Sequence, residues 1–414
     1  MSSPDRTATL LESALPRAAI TRRPADDLLG EIPVAAPDSA EQWSEVLRLA
    51  GRERLCVLPL GLGSKLGWLR TPERLDLALS SARFHGVSAF EAADGTITAR
   101  AGTTLAALSE AVSATHHLSP EIALPRASTL GGVLAAGTSG LDRLRHGPVR
   151  HQVLGITVAL ADGSLVKSGG RVVKNVTGYD LHRLWCGSSG TLCVLLETTL
   201  RLYPRPAREA VLEARFADRA GALERARALV RSAVQPVAVV VEEQGSEWCL
   251  SVVLSGRDEI VAHDVDEMRR GLPGSVLHEG ADAQRARAEL RDRERPDGTW
   301  SPLALACRPS RLARELERLD TALAGRGLRA TQRIQPLLAH VDVRIEGPRE
   351  RWLELDRELD GDAQRRWRSA PAELMRASGP DGRSAPELAL QQRLKTALDP
   401  QGLFADGRPH GGAR

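Results

Sequence analysis

The residues of this chain best suited to chemistry are small ones. Pro125-Arg126-Ala127-Ser128-Thr129-Leu130-Gly131-Gly132-Val133-Leu134-Ala135-Ala136-Gly137-Thr138-Ser139-Gly140 is dominated by glycine, alanine, serine and threonine. With no Cβ to hold a ligand off, Gly131 and Gly132 let successive backbone amides curl around an anion, and Ser128, Thr129, Thr138 and Ser139 add hydroxyl donors. Upstream, Val57-Leu58-Pro59-Leu60-Gly61-Leu62-Gly63-Ser64-Lys65 reads as a buried strand running into a second glycine turn. Downstream, the run from Gly169 to Leu181 leads to Gly187-Ser188-Ser189-Gly190-Thr191-Leu192. One such stretch is ordinarily a surface loop. Three together point to a long ligand with several polar groups, such as a dinucleotide.

The common nucleotide folds do not account for this pattern. A Rossmann site needs a third glycine after Gly61 and Gly63 and an acid about 20 residues on, and the third glycine is missing. No Walker A loop occurs. The order Pro-x-Gly-x-Gly-Ser, then Thr-Leu-Gly-Gly with Gly-x-Ser-Gly, then Lys-Asn-Val-x-Gly-Tyr-Asp-Leu with Gly-Ser-x-Gly-Thr-Leu resembles the para-cresol methylhydroxylase-type FAD-binding domain of the vanillyl-alcohol oxidase-like superfamily. Within that superfamily, Lys174 to Leu181 is most similar to the E subunit of bacterial glycolate oxidase. The closing run from Leu394 to Phe404, followed by Gly407-Arg408, resembles the way those subunits end. The likeness covers Ile32 to Pro206 and the last two dozen or so residues, and is weak between them.

The resemblance implies non-covalent FAD in a site built from Pro59, Gly61, Leu62, Gly63, Ser64, Lys65, Pro125, Thr129, Leu130, Gly131, Gly132 and Ala135, with the glycine turns cradling the pyrophosphate. It further implies that Ser139, Gly140, Gly190 and Val194 reach ribose, adenine or flavin, and that Lys174 and Asn175 lie near the ring or the domain interface. Relatives with covalent flavin carry a histidine in the first glycine turn, where this chain has Leu62 and Lys65 around Ser64. Cys193 stands where glycine is usual, His151 where an acid is common, and Ala405-Asp406 replaces Asn-Pro before the terminal Gly-Arg.

The His-rich, Asp-Gly-Asn motif of related 2-hydroxy-acid dehydrogenases is absent, so no catalytic residue follows from the resemblance. His340, on the apolar-flanked stretch Leu337 to Val343, is the best lone candidate for a base, against the commoner role of a packed core histidine. The function implied is an FAD-binding oxidoreductase, an E-type subunit passing electrons from a 2-hydroxy acid to an acceptor beside a partner flavin subunit and an iron–sulfur subunit. The alternatives are a self-sufficient flavin dehydrogenase of a 2-hydroxy acid or sugar alcohol, and a flavin-free structural subunit.

The elements that must position these residues read as α+β. Residues Met1 to Gly30 form a loosely ordered or helical extension, with two helical turns over Ala8 to Leu15. Ile32 to Ala35 is strand-like, and Asp38 with Glu41 makes a capping box for a helix through Ala50. Leu55 to Leu60 and Leu75 to Leu79 follow as strands, and Thr103 or Thr104 caps a helix through Ala114. Asp94-Gly95 and Asp162-Gly163 are hairpin signals between Val87–Ala92 and Thr96–Ala101, and between Gly155–Ala161 and Ser164–Ser168. Thr191 to Tyr203 carries one more strand, and Pro204-Arg205-Pro206 marks a domain edge.

From there to about residue 385 the strands Val211–Phe216, Val237–Glu242, Cys249–Ser255 and Leu303–Cys307 alternate with helices Ala220–Val234, Asp258–Gly271 and Ser310–Ala324, the last capped by Ser310. An antiparallel sheet covered by helices on one face, a cap over the flavin ring, is expected. Ala281 to Pro296, alternating arginine with acid, reads as a solvated helix face. Residues 31–206 are thus assigned to FAD, 207–385 to the cap, and 386–414 to a helix and tail returning to the FAD domain.

Composition narrows the classes. A chain of 414 residues holds two or three domains, and its formal charge of +3 is small for a nucleic-acid binder that relies on a basic surface. The lysines are Lys65, Lys167, Lys174 and Lys395, two of them within the motifs above. An odd count of 5 cysteines with no Cys-x-x-Cys disfavours a disulfide framework or an iron–sulfur site in this chain. No long apolar run marks a signal peptide or a membrane span, so a cytoplasmic setting is the expectation.

Overall fold

The computed structural model describes residues 4–23, 31–68, 72, 74–170, 179–294, 303–359, 364–367 and 385–406. Its first sheet contains Ile20–Arg23 (β1), Ile32–Ala35 (β2), Val57–Leu60 (β3) and Leu77–Ser80 (β4), in the order β1-β2-β4-β3. β4 lies parallel to both β2 and β3. The helix Ala40–Arg52 makes the crossover, burying Trp43, Val46, Leu47 and Ala50 at helical spacing. Its cap is not the expected Asp38–Glu41 pair. Ser39 Oγ accepts the Gln42 N–H, and Gln42 Oε1 accepts the Asp38 N–H, because the helix starts one residue later than the acid spacing indicated.

The amino-terminal segment is more integrated than its composition implied. Its helix is Pro4–Leu11, β1 pairs antiparallel with β2, and Leu11, Leu15 and Ala19 enter the core of this sheet. The carboxyl-terminal helix Ala385–Leu398 returns the chain as expected. Beyond it Val57 donates its N–H to Leu403, Ala405 donates to Val57, and Phe404 bridges β3 in parallel.

The second sheet is antiparallel: Val87–Glu91 (β5), Thr96–Arg100 (β6), Val153–Ala159 (β8), Leu165–Gly169 (β9) and Val194–Arg201 (β10), ordered β5-β6-β10-β8-β9. Two Asp-Gly hairpins form its flanks, and β10 runs between them. His116–His117 (β7) and Tyr203–Pro204 (β11) make a separate two-stranded ribbon.

The third sheet holds Arg208–Phe216 (β12), Ala238–Gln244 (β13), Glu247–Gly256 (β14), Val276–Glu279 (β15), Leu303–Ala306 (β16), Arg329–Gln335 (β17), His340–Glu346 (β18) and Gln364–Trp367 (β19), ordered β15-β12-β14-β13-β17-β18-β16-β19 and antiparallel throughout. One face packs on the helices Arg219–Ala228, Asp258–Gly271, Leu312–Ala324 and Trp352–Glu358 through Leu250, Val252, Leu305, Leu316, Val341 and Leu355. Leu312–Ala324 starts two residues after Ser310, and its N-cap residue Arg311 makes no side-chain capping bond.

The other face is not bare, contrary to the expectation of helices on one side only. The helix Gly280–Asp292 lies against it, burying Ala283, Ala286 and Leu290 beside Val240, Val253 and Leu141. The charged run expected to be a solvated surface is therefore a wedge: Ala283, Ala286 and Leu290 turn inward against the third sheet and Leu141, Arg287 is buried in ion pairs, and Asp282 and Arg285 keep a solvated face.

Candidate functional site

The three glycine turns converge. β3 delivers Gly61 to Lys65 against Ser128 and Thr129: Ser64 Oγ lies 3.3 Å from Ser128 Oγ, and Lys65 Nζ donates to both hydroxyls at 3.3 and 3.2 Å. Glycine is required at Gly61 by contact, since a Cβ there would stand 2.3 Å from Thr129 Oγ1. Among the described residues no acceptor takes the amides of Gly61, Leu62 or Gly63. The stretch read as a loop holds the helix Leu130–Ala136, capped by Thr129, whose Oγ1 accepts the Gly132 N–H at 3.2 Å. Gly131 pulls that helix onto β6: its N–H donates to Ala101 at 2.8 Å, and an added Cβ would meet the Ala101 Cβ at 2.9 Å.

These pieces line a continuous trough. Its middle, about 70 Å³, is walled by Pro59 to Leu66, Thr129, Gly132, Ala135 and Ser189. One end opens into an apolar chamber of about 60 Å³ with Trp43, Gly131, Gly190, Cys193 and Val194. The other passes Trp68 and Ala136 into a cleft of about 380 Å³ that holds Ser139 and Gly140. Most of the sequence-derived site residues thus share one groove. Leu130 instead buries its side chain completely in the core, and Pro125 begins a short 3-10 turn that lines none of these three spaces. Lys174 and Asn175 lie outside the described residues.

Two orphaned polar atoms fit a polar ligand in the groove. Trp43 Nε1 in the apolar chamber and Thr138 Oγ1 in the cleft are buried with no partner among the described residues, a state that buried polar groups rarely tolerate without a ligand or water. Sequence reasoning missed Trp43, Trp68 and Ser189, which a helical apolar stripe and a serine in a known glycine turn could have signalled. It also missed Arg143, Arg150, Gln335, Gln364 and Arg365 of the cleft, for which the sequence carries no local signal.

The far wall of the cleft is the open half of the third sheet. Cross-strand registers set Gln335, His340, Ala306 and Gln364 side by side on β17, β18, β16 and β19, and all four line the cleft. Behind them lies a second row on the same face, with Glu242, Arg333, Asp342 and Ala304 in register. Glu242, Arg333 and Asp342 are buried. Arg333 Nη1 donates to Glu242 at 2.7 Å, and His340 Nε2 lies 3.4 Å from Asp342 Oδ1. At the edge Arg365 Nε donates to Asp356 at 2.6 Å.

On the opposite side Arg143 and Arg150 line the same space. Burial and the neighbouring charge of Arg150 hold Arg143 below the ordinary guanidinium range. Cys186 also borders the cleft, but burial pushes its thiol up to about 12, which leaves it protonated and unreactive at neutral pH.

A charged seam fixes the two walls together. Arg287 of the wedge helix donates to Glu121 at 2.8 and 2.9 Å and also to Glu209 on β12. Next to it Asp142 is fully buried, its Oδ1 accepting the Glu121 N–H at 3.1 Å. Burial first, and the Glu121 charge second, push its carboxyl up to about 7.

Residues 33–169 match the FAD binding domain family, which makes FAD the cofactor. The fold is that of the p-cresol methylhydroxylase-type flavoproteins. The structure superposes on p-cresol methylhydroxylase with a TM-score of 0.77 at 15% identity, covering 98% of this chain and 96% of that one. It superposes on 4-ethylphenol oxidase from Gulosibacter chungangensis with a TM-score of 0.76 at 14% identity, covering 98% and 97%. In sequence the chain is similar to glycolate oxidase subunit GlcD of Bacillus subtilis (strain 168), 28% identical over 51% of this chain and 45% of that protein. It is also similar to D-lactate dehydrogenase of Archaeoglobus fulgidus, 32% identical over 42% of this chain and 39% of that protein, and to D-2-hydroxyglutarate dehydrogenase of Xanthomonas citri pv. viticola, 33% identical over 42% and 37%. The matched stretch spans under half the length of each of these curated relatives.

Proposed function

We propose that this chain is an FAD-dependent oxidoreductase acting on a 2-hydroxy acid, and that it works as the E-type flavin subunit of a glycolate oxidase-like complex with a second flavin subunit and an iron–sulfur subunit. The observation that carries the reading is the convergence of Gly61–Lys65, Thr129–Gly132 and Ser189–Gly190 on one trough that opens into an arginine-lined cleft. In this assignment Gly61 to Lys65 and Thr129 to Gly132 hold the pyrophosphate by backbone and hydroxyl donors, Lys65 adding charge. Trp43, Gly190 and Val194 border the adenosine end, while Ser139, Gly140 and Thr138 sit at the ring end. The cofactor is held without a covalent bond, as Leu62 and Lys65 in the first turn imply. Once bound, FAD supplies the two-electron acceptor that turns an alcohol carbon into a carbonyl.

The names of the relatives support the substrate class, since glycolate, D-lactate and D-2-hydroxyglutarate are all 2-hydroxy acids. A subunit role is supported by the name of the GlcD relative, a subunit of glycolate oxidase, and by the missing His-rich motif. A second reading, a self-sufficient dehydrogenase, is favoured by a cleft that carries its own ionisable side chains. Cytoplasmic placement is supported by cysteines that are all free. No helix among the described residues is long and apolar enough to cross a membrane.

The test is spectroscopic. The purified chain should show the yellow flavin spectrum or acquire it on adding FAD, and a chain that never does so is the flavin-free structural subunit instead. Sustained dye reduction by glycolate or D-lactate that is as fast with the chain alone as with the assembled complex would replace the subunit role with the self-sufficient enzyme.

A further inference from the structure

We infer that the cleft is a two-point site in which Arg143 and Arg150 hold the carboxylate of a 2-hydroxy acid while His340, oriented by Asp342, takes the proton of its hydroxyl. This rests on the reading of the trough as a flavin site and adds the side chains that would serve its substrate.

The arginines around the cleft fall into two groups. Arg365, Arg333 and Arg287 are each engaged by a carboxylate, from Asp356, Glu242 and Glu121 respectively. Arg143 and Arg150 line the space, yet among the described residues neither has an ion pair or a side-chain hydrogen bond. Two neighbouring guanidiniums without an acid repel each other, and an anion between them removes that cost. The backbone that carries them is tied down: Val149 donates its N–H to Ser139 Oγ at 3.1 Å, and Tyr203 holds Gln152 by a bond of 2.6 Å. The backbone of Arg150 is therefore fixed in advance, while both arginines are exposed and reach into the open cleft.

Opposite, His340 is the one titratable side chain in its row, with Gln335, Ala306 and Gln364 as neighbours. Ala306 leaves room beside the imidazole, and the two amides can bind a hydroxyl or carboxylate without taking its proton. Nε2 faces Asp342 at 3.4 Å, so Nδ1 is the atom left to accept. Asp342, 1% exposed, acts through His340 and is a positioning residue. The balance is complete: the substrate O–H bond would break with its proton passing to His340, and the C–H bond would break with its hydrogen passing as hydride to the oxidised flavin that the trough would hold, giving a 2-oxo acid. The groups bordering His340 whose charge a pH profile must reckon with are Asp342, Arg333, Arg365, Glu294, Cys186, Arg143 and Arg150.

Oxalate, a dianion shaped like the bound acid, separates the two points when titrated calorimetrically into the purified FAD-loaded chain. The double variant Arg143→Gln/Arg150→Gln should weaken oxalate at least tenfold while the flavin spectrum is unchanged. His340→Asn should bind oxalate like the native chain, slow flavin bleaching by D-lactate or glycolate by about 100-fold or more, and lose one limb of the pH profile of that bleaching. Asp342→Asn should slow bleaching at unchanged oxalate affinity. Native oxalate affinity in the double variant overturns the carboxylate point. Native bleaching with a native pH profile in His340→Asn, or a native chain bleached by neither acid, overturns the proton acceptor. A chain that binds oxalate through these arginines but never takes up FAD overturns the flavin reading and leaves the anion site standing.

Discussion

The trough and the cleft are neighbours built on opposite principles. The trough is a backbone device: its walls are glycines, amides and short hydroxyls, and its shape fails if a single methyl is added at Gly61. The cleft is a side-chain device, assembled from Arg143 and Arg150 on one side and Gln335, His340, Gln364 and Arg365 on the other. A cofactor common to many reactions suits a mould of main chain, which leaves little room for change. A substrate suits a wall whose side chains can be exchanged while the sheet beneath stays the same.

The sharpest way to break this contrast is Gly61→Val or Gly131→Val. Either should abolish flavin retention, read as loss of the visible spectrum after gel filtration, while the far-ultraviolet circular dichroism of the cap persists. Retained FAD would show that side chains, not backbone clearance, hold the cofactor. The converse is Arg287→Met at the seam. It leaves Glu121 and Glu209 facing each other with side chains only 18% and 19% exposed, and should cost about 3–5 kcal/mol in urea unfolding without preventing FAD uptake by the flavin half.

A smaller effect comes from Asp142. Its folded carboxyl titrates near 7, above the unfolded value of about 3.9. Between those values the native state binds more protons than the unfolded one, so this group makes stability fall as pH rises from about 4 to 7, with a slope of up to about 1.4 kcal/mol per pH unit. Asp142→Asn should remove this contribution, so that the variant's stability falls less steeply than the native chain's across that window, and an unaltered slope would mean the carboxylate is not desolvated. Least of all, Ser39→Ala should cost about 1 kcal/mol by uncapping the helix that carries Trp43, lowering the thermal midpoint while leaving oxalate binding untouched.

The same contrast explains what the sequence made legible. Backbone-built features are written in glycine and proline, and so Gly61, Gly63, Gly131, Gly132 and Gly190 could be found from their spacing, and both hairpins from their Asp-Gly turns. The helix Leu130–Ala136 escaped notice because two glycines lower its propensity, a deficit that the Thr129 cap and packing against Ala101 make good. Side-chain sites carry no such mark. Gln335, His340 and Gln364 are brought together by strand registers, and Arg143 and Arg150 resemble any other arginine of an arginine-rich chain. The charged helix Gly280–Asp292 misled for a related reason: a stripe of alanines that packs closely against a sheet has too little hydrophobic contrast to announce a buried face.

One feature of the first sheet bears on how the protein is made. The edge of β3, the strand that presents the first glycine turn, is completed by Leu403, Phe404 and Ala405, and the whole third sheet lies between these partners in the sequence. Lys395 fastens this return through Asp399, Thr191 and the Phe404 carbonyl at 2.5, 2.9 and 2.9 Å. A nascent polypeptide still emerging from the ribosome lacks that flank until residues 403–405 have been made, so the strand that presents the first glycine turn is completed only after the whole third sheet has been synthesised.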